Sequence, residues 1–501
     1  MTQTGRLVLV NAGIMISSPV SRWRFVVRCR GYLLELSAMP RLEPRSRITD
    51  PADGWGWVGF GFFASVVIAV HAWATPHPVV TITDYLLASL ALLSCAGLLF
   101  AWWRIGPRFP HPVVATVLWA LPLLACPPLF SLDVNAYLTQ GWMVLGGHDP
   151  YVMTLGEPQL PGIVVGVDWV NTTSVYPAGS LLIFAAVFWA SGGLPWLGFL
   201  LFRVLHLACL LVVAWVVKRL APRVGVPVNT ALWAGVATPL LVFQWIGGLH
   251  NDAVLVALIA LAVLVAQRGG WTGLLLGGAL IGLSLTVKQS GAAAGLGIVA
   301  LAWAATPGRD WWRLAGRAAA AGVAAVAVFA GVSLGSGLGF GWGNSTAGNP
   351  LAVMSDSPLS WIIQAMRFLG YEALLIPTMR ALTLLAGLAV LAAWTWLVVR
   401  HGPRPGGPGH PWVVLLGGLL AFALLGPALQ PWYFTWAAPF VALALPDLRW
   451  QRIWLGATVA IVMAASTGFS FGLPLLALMA WLLWRWFDAK DLDVFQERTG
   501  V

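Results

Sequence analysis

The sequence predicts an all-α fold, a polytopic transmembrane protein of about fourteen helices with a long first loop on the outer side of the membrane. Three observations carry this. The chain is 59% hydrophobic and only 9% charged, a composition outside the range of soluble domains. Apolar runs long enough to cross a bilayer recur along it, without the alternation of a membrane barrel. Between Phe130 and Ala178 there is no Lys or Arg, although the chain as a whole carries a formal charge of +10.

The runs fall near 55–74, 84–103, 112–130, 196–217, 229–247, 252–267, 271–287, 291–305, 314–336, 381–399, 411–428, 432–446, 453–469 and 472–487. Their sidedness follows from Lys and Arg, which collect on the cytoplasmic face. Residues 1–50 carry eight arginines from Arg6 to Arg47 and read as a basic cytoplasmic tail without fixed structure. No small-residue cleavage site follows the weakly apolar Val8–Ile16, so a signal peptide is not expected. Met39 lies nearer the first run than Met1, which predicts that deleting 1–38 preserves activity. The membrane unit spans 51–487, and 488–501 is a second cytoplasmic tail.

With the tail inside, Arg104 and Arg108 fall inside and the loop starting at Ser131 falls outside. A further run at 177–193 precedes the one at 196–217. If both crossed, Lys218, Arg219 and Arg223 would lie outside, so 177–193 reads as a helix at the outer interface, and 131–193 as one outer segment. The basic residues at 268, 309–317, 400–404, 449–452 and 485–490 then all fall inside. Charge is thus accounted for by topology, and no nucleic-acid partner is implied. Cys95, Cys126 and Cys209 lie in apolar runs and Cys29 in the tail, with neither metal-ligand nor disulfide spacing. Many of the 30 tryptophans flank apolar runs, as interfacial belts do.

This topology gathers polar residues at the outer helix ends. Asp133 opens the outer loop, either as a helix N-cap or as a general base at the membrane surface. Asp149 lies in Gly147-His148-Asp149-Pro150-Tyr151, either closing a turn or holding sugar hydroxyls. Glu157 and Asp168 read as solvated loop acids, and Tyr176-Pro177 as the start of the interfacial helix. His250-Asn251-Asp252 opens a helix; one of these caps it, yet three polar side chains exceed what a cap needs. No second His or acid follows at helical spacing, so no metal site is expected. Lys288 either snorkels or meets an anion, since few cations belong on the outer side. Arg203, inside an apolar run, pairs with an acid or meets phosphate. Arg367 and Arg380 border an ambiguous segment after 338–358. Trp432 and Tyr433 are belt aromatics or a platform for a sugar ring.

The stretch Phe130-Ser131-Leu132-Asp133-Val134-Asn135-Ala136-Tyr137-Leu138-Thr139-Gln140-Gly141, followed by Gly147 to Tyr151, resembles the first periplasmic loop of the actinobacterial polyprenyl-phosphomannose-dependent α-1,6-mannopyranosyltransferases. Their pattern is F-S-x-D-x-Y-S-Y-x-x-Q-G, then G-x-D-P-Y. Gly247 to Asp252 resembles their G-G-x-H-N-D/E, Val287-Lys288 their V-K, and Pro431-Trp432-Tyr433 their P-W-Y, all in family order. Asn135 stands where the family commonly has Tyr, and Tyr176-Pro177-Ala178-Gly179 where it has Y-G-P.

The resemblance implies a GT-C-class glycosyltransferase of the plasma membrane with its active site on the periplasmic side. It implies polyprenyl phosphomannose as donor, a mannan or lipomannan-type glycolipid as acceptor, and inversion in a single displacement. Asp133 aligns with the family's catalytic base, acting on the acceptor's 6-hydroxyl. Substrate contacts are expected from Tyr137, Gln140, Asp149, His250, Asn251, Asp252, Lys288, Trp432 and Tyr433, with Lys288 and His250 at the departing phosphate. No cofactor or metal is expected to be required. Rival readings are an α-1,2-mannosyl- or arabinofuranosyltransferase of the same class, or a lipid transporter. Transporters tend to carry repeats and midplane sites, and neither is seen here.

Overall fold

The computed structural model describes residues 24–29, 32–37, 51–74, 82–167, 169–306, 310–344, 357–402, 409–426, 428–444 and 448–467. The chain divides into two units, 1–50 and 51–501. In the first, β1 (Arg24–Cys29) and β2 (Tyr32–Ser37) pair antiparallel, with Arg24 opposite Ser37 and Cys29 opposite Tyr32. Their sequences, RFVVRC and YLLELS, are rich in strand-favouring β-branched and aromatic residues. This hairpin lies within the stretch that sequence reasoning treats as an unstructured tail.

Among its described residues, the regular secondary structure of the second unit is all helical. In order come α1 (Pro51–Ala74), α2 (Ile82–Ile105), α3 (Pro112–Ala120), α4 (Asp133–Leu145), α5 (Ala178–Ala190), α6 (Pro195–Leu220), α7 (Val228–Gly235), α8 (Pro239–Leu241) and α9 (Asp252–Ala266). There follow α10 (Gly270–Val287), α11 (Gly291–Ala304), α12 (Trp311–Gly335), α13 (Pro358–Phe368), α14 (Leu375–His401), α15 (Pro411–Leu425), α16 (Val441–Ala444) and α17 (Leu448–Thr467).

Among the described residues, six helices are long and apolar enough to cross a bilayer, or seven if the bent pair Val228–Gly235 and Pro239–Gly247 is one span. This is a multi-pass membrane architecture. The other expected crossings within the described residues are shorter or broken, and in two of them proline marks the break. The run after α3 tightens into a 3-10 turn at Leu121–Ala125, with Pro122 at its start. The run at 432–446 is 3-10 turns at Pro431–Trp436 and Ala438–Phe440 leading into α16. The segment at 178–190 is a short apolar helix, as expected, while the run at 472–487 and the tail beyond it lie outside the described residues.

Tryptophan serves two purposes. Trp73 and Trp196 stack at 4.5 Å and are exposed, as belt residues are. Trp102 and Trp233 instead stack inside the core, and each indole donates to the other's backbone carbonyl, at 3.0 and 2.8 Å. That reciprocal pair ties α2 to α7, while Trp119 donates to the Val58 carbonyl and ties α3 to α1. Arg203 on α6 is fully buried. Its guanidinium donates to the carbonyls of Ile246, Leu124 and Pro127 at 3.0, 3.3 and 3.2 Å, and its nearest sulfur is Cys126. Its partners are therefore the carbonyl-rich ends of two short helices, where a cation is favoured, rather than the acid or phosphate expected of it.

Candidate active site

Asp133 is the first residue of α4, with Leu132 in the capping position, and its carboxylate caps nothing. The chain reaches it through Phe130, whose φ of 63° lies in the left-handed region. His250 is reached in the same way, through Leu249 at φ 56°. Such conformations cost a non-glycine residue about 1–3 kcal/mol and concentrate at functional sites. The two strained segments are joined, because the Leu129 N–H donates to the Gly247 carbonyl at 2.9 Å. Between α8 and Leu249 the backbone widens into a π-helical turn, Val242–Gly247, a form found mostly where function demands it.

These segments bring Asp133 and His250 together. Oδ2 of Asp133 lies 3.3 Å from Nδ1 of His250, and Oδ1 accepts a 2.9 Å hydrogen bond from the indole of Trp169. Burial alone would raise the Asp133 carboxyl. The His250 contact, the Trp169 indole and the more distant Lys288 charge outweigh it, leaving the group below the ordinary aspartate value and ionised at neutral pH. Trp169 comes from the long loop between α4 and α5, which is fastened to its own start by Leu155 N–H to Thr172 O and Gly156 N–H to Val170 O, both 2.9 Å. Asn135, two residues along from Asp133, holds the loop by donating to Val164 O at 2.7 Å.

The His250 ring stacks on Trp432 with centroids 3.8 Å apart. Trp432 meets Tyr433 edge-on, and Tyr433 stacks on Trp436 at 4.4 Å. Lys288 sits over this aromatic group, 5.0 Å from the Tyr433 ring, and its ammonium meets Oδ1 and Oδ2 of Asp252 at 3.0 and 2.9 Å. The Trp436 indole also donates to Asp252. Lys288 thus already holds an anion, a carboxylate of this chain, where the sequence suggested a substrate phosphate. Asn251 is the residue before α9, but its side chain forms no cap; its amide donates to Ser180 Oγ at 2.9 Å, and Ser180 donates to the Val287 carbonyl.

Around this core, Tyr137 is buried between Phe184 and Tyr176, with the two phenol oxygens 3.4 Å apart. Burial pushes the Tyr176 phenol up, and the Asp133 charge adds to that, so it stays protonated. Gln140 accepts from Ser174 Oγ and donates to the Ala136 carbonyl, fastening the α4–α5 loop to α4. Asp149 stands apart: it is exposed, and its Oδ1 accepts the Tyr151 N–H at 2.8 Å, closing the turn. Glu157 likewise closes a turn on Thr154. Asp168 lies outside the described residues. Among the described residues no group of three or more His, Cys, Asp and Glu side chains is placed to hold a metal ion.

Sequence reasoning missed Trp169, Trp436 and Ser180. A signal for Trp436 exists in hindsight, since it follows Trp432 at helical spacing. Trp169 has none, being one aromatic in a long irregular loop. Chemically, the arrangement offers an ionised carboxylate against a histidine, beneath an aromatic surface suited to a sugar ring.

Residues 57–305 match the family model described as the N-terminal domain of alpha-(1->6)-mannopyranosyltransferases. Alpha-(1->6)-mannopyranosyltransferase A of Mycobacterium tuberculosis is 29% identical over 388 residues, covering 73% of this chain and 72% of the relative. The A enzyme of Corynebacterium glutamicum is 29% identical over 70% of this chain and 75% of its own length. The B enzyme of the same organism is 30% identical over 70% of this chain and 60% of its own length. No solved structure matches. On the family match and these relatives together, the chain belongs to the alpha-(1->6)-mannopyranosyltransferase family and is a glycosyltransferase enzyme.

Proposed function

We propose that this membrane enzyme moves mannose from polyprenyl phosphomannose to the 6-hydroxyl of a mannan or lipomannan-type acceptor, at the outer face of the plasma membrane. The single observation that carries the reading is the Asp133 carboxylate. It is ionised, gripped by Trp169 and His250, and set beside an aromatic surface in a chain whose relatives are named for this linkage. A β-linked donor attacked from the opposite face yields an α product in one displacement. The acceptor's proton leaves through the Asp133–His250 centre, and neither a metal nor a cofactor is required. The absence of basic residues between Phe130 and Ala178 supports an extracytoplasmic site.

The test is transfer of labelled mannose from polyprenyl phosphomannose to a short α-1,6-mannoside, in membranes with matched amounts of wild type and Asp133→Asn. Wild-type transfer with a loss of about 10²–10⁴-fold in the variant supports the reading. Transfer by neither form rejects this donor and acceptor, and equal transfer by both removes Asp133 from the centre.

A further inference from the structure

We infer that the atom which takes the acceptor's proton is Nε2 of His250, and that Asp133 orients and electrostatically supports the ring. The inference rests on the transferase reading above and changes the role of Asp133 from the base to its partner.

Four observations converge on that nitrogen. Both carboxylate oxygens of Asp133 are already engaged, Oδ1 by the Trp169 indole at 2.9 Å and Oδ2 by the imidazole at 3.3 Å. Its carboxyl lies below the usual aspartate value because these neighbours outweigh its burial, which makes it a weak base. His250 is fully buried, and among the described residues neither ring nitrogen has a hydrogen-bond partner; Nδ1 faces Oδ2 of Asp133 at 3.3 Å, which leaves Nε2 as the free one. An orphaned buried polar atom costs about 1–3 kcal/mol, which a substrate hydroxyl would recover. The stack on Trp432 fixes the ring plane at 3.8 Å. Finally, residue 248 is glycine, packed against that edge of the ring: a Cβ there would sit 3.0 Å from both Cδ2 and Nε2 and crowd them. The Nδ1 approach is off the hydrogen-bond line, as contacts of this kind commonly are before substrate binds.

In the step, the 6-hydroxyl oxygen bonds to C1 of the donor mannose as its proton passes to Nε2. The C1–O bond to phosphate breaks, and its electron pair leaves on polyprenyl phosphate. Nδ1 keeps its proton toward Oδ2 of Asp133, so the imidazolium forms against a carboxylate, the arrangement that lets a carboxylate–histidine pair act as base.

The experiment uses the full chain in lipid nanodiscs with the labelled donor and a synthetic α-1,6-mannoside. His250→Gly is expected to lower kcat by about 10²–10⁴-fold, and added imidazole to restore at least about ten-fold of it. Binding of the labelled donor is expected to change by no more than about two-fold, because the loss is confined to the transition state. Gly248→Ala, whose backbone tolerates a side chain, provides a second readout: it crowds Nε2 and lowers kcat while the donor KM holds. Rescue of Asp133→Gly by formate, with none of His250→Gly by imidazole, overturns the inference. Donor binding weakened ten-fold or more in His250→Gly with kcat preserved also overturns it, and assigns His250 to the phosphate. A wild type that transfers no mannose defeats the underlying reading instead.

Discussion

Lys288 and Asp252 form a two-pronged ion pair, the ammonium 2.9 and 3.0 Å from the two carboxylate oxygens, with Asp252 fully buried and Lys288 nearly so. The lysine that charge patterning singles out is therefore matched within the protein. Removing one partner strands the other, so Lys288→Met is expected to cost about 3–5 kcal/mol of stability, and the double variant Lys288→Met/Asp252→Asn markedly less. Thermal unfolding of the four proteins of the cycle in one detergent measures this. Full stability of Lys288→Met together with weakened donor binding would return the lysine to the substrate.

Trp169→Phe keeps the ring and loses the indole N–H donated to Asp133. The depressed carboxyl then rises toward the ordinary value of about 3.9. A depressed carboxyl contributes stability that is present above the ordinary value and lost as pH falls through the folded one. In wild type that loss thus lies below about pH 4, and in Trp169→Phe the contribution is smaller. Unfolding temperatures measured between pH 7 and pH 4 should diverge for the two proteins only through the constant offset of the lost hydrogen bond, about 0.5–3 kcal/mol. A steep wild-type decline above pH 5 would show that the carboxyl is not depressed.

Arg203→Lys preserves charge but not the fork that reaches three carbonyls. It should destabilise the protein by about 2–4 kcal/mol, since an ammonium on a shorter stem leaves buried carbonyls unpaired. Unchanged unfolding in denaturant would mean that the carbonyls find other donors.

Asp149→Ala should leave mannosyl transfer within about three-fold of wild type, because its carboxylate only closes an exposed turn, worth about 1 kcal/mol. A hundred-fold fall in kcat/KM would place Asp149 on the substrate.

The positions of the site residues were legible because this chain is so sparing with charge. At 9% charged residues, a polar cluster at the end of an apolar run stands out, and Asp133, His250, Asn251, Asp252 and Lys288 did. Their pairings were not legible, since which outer helix ends face one another is a property of packing. Hence Asp252 read as a cap or a substrate contact and Lys288 as a snorkelling or phosphate-binding cation, with nothing to indicate that the two pair with each other. Phe130 and Leu249 hid their strain because nothing about a phenylalanine or a leucine announces positive φ. Helix existence was legible in the hydropathy. Helix length was not, because Pro122, Pro239 and Pro439 sit inside runs whose average hydropathy conceals them.

The stack of Trp432 on His250 has a consequence for how the enzyme is made. The family model ends at residue 305, yet the ring that covers the histidine, and the Trp436 indole bound to Asp252, are supplied far beyond that boundary. Until the chain has been translated past residue 436, Asp133, His250 and Asp252 lack that cover. A chain that ends before residue 432 therefore carries every acidic and basic residue of the cluster and lacks the aromatic rings that cover it.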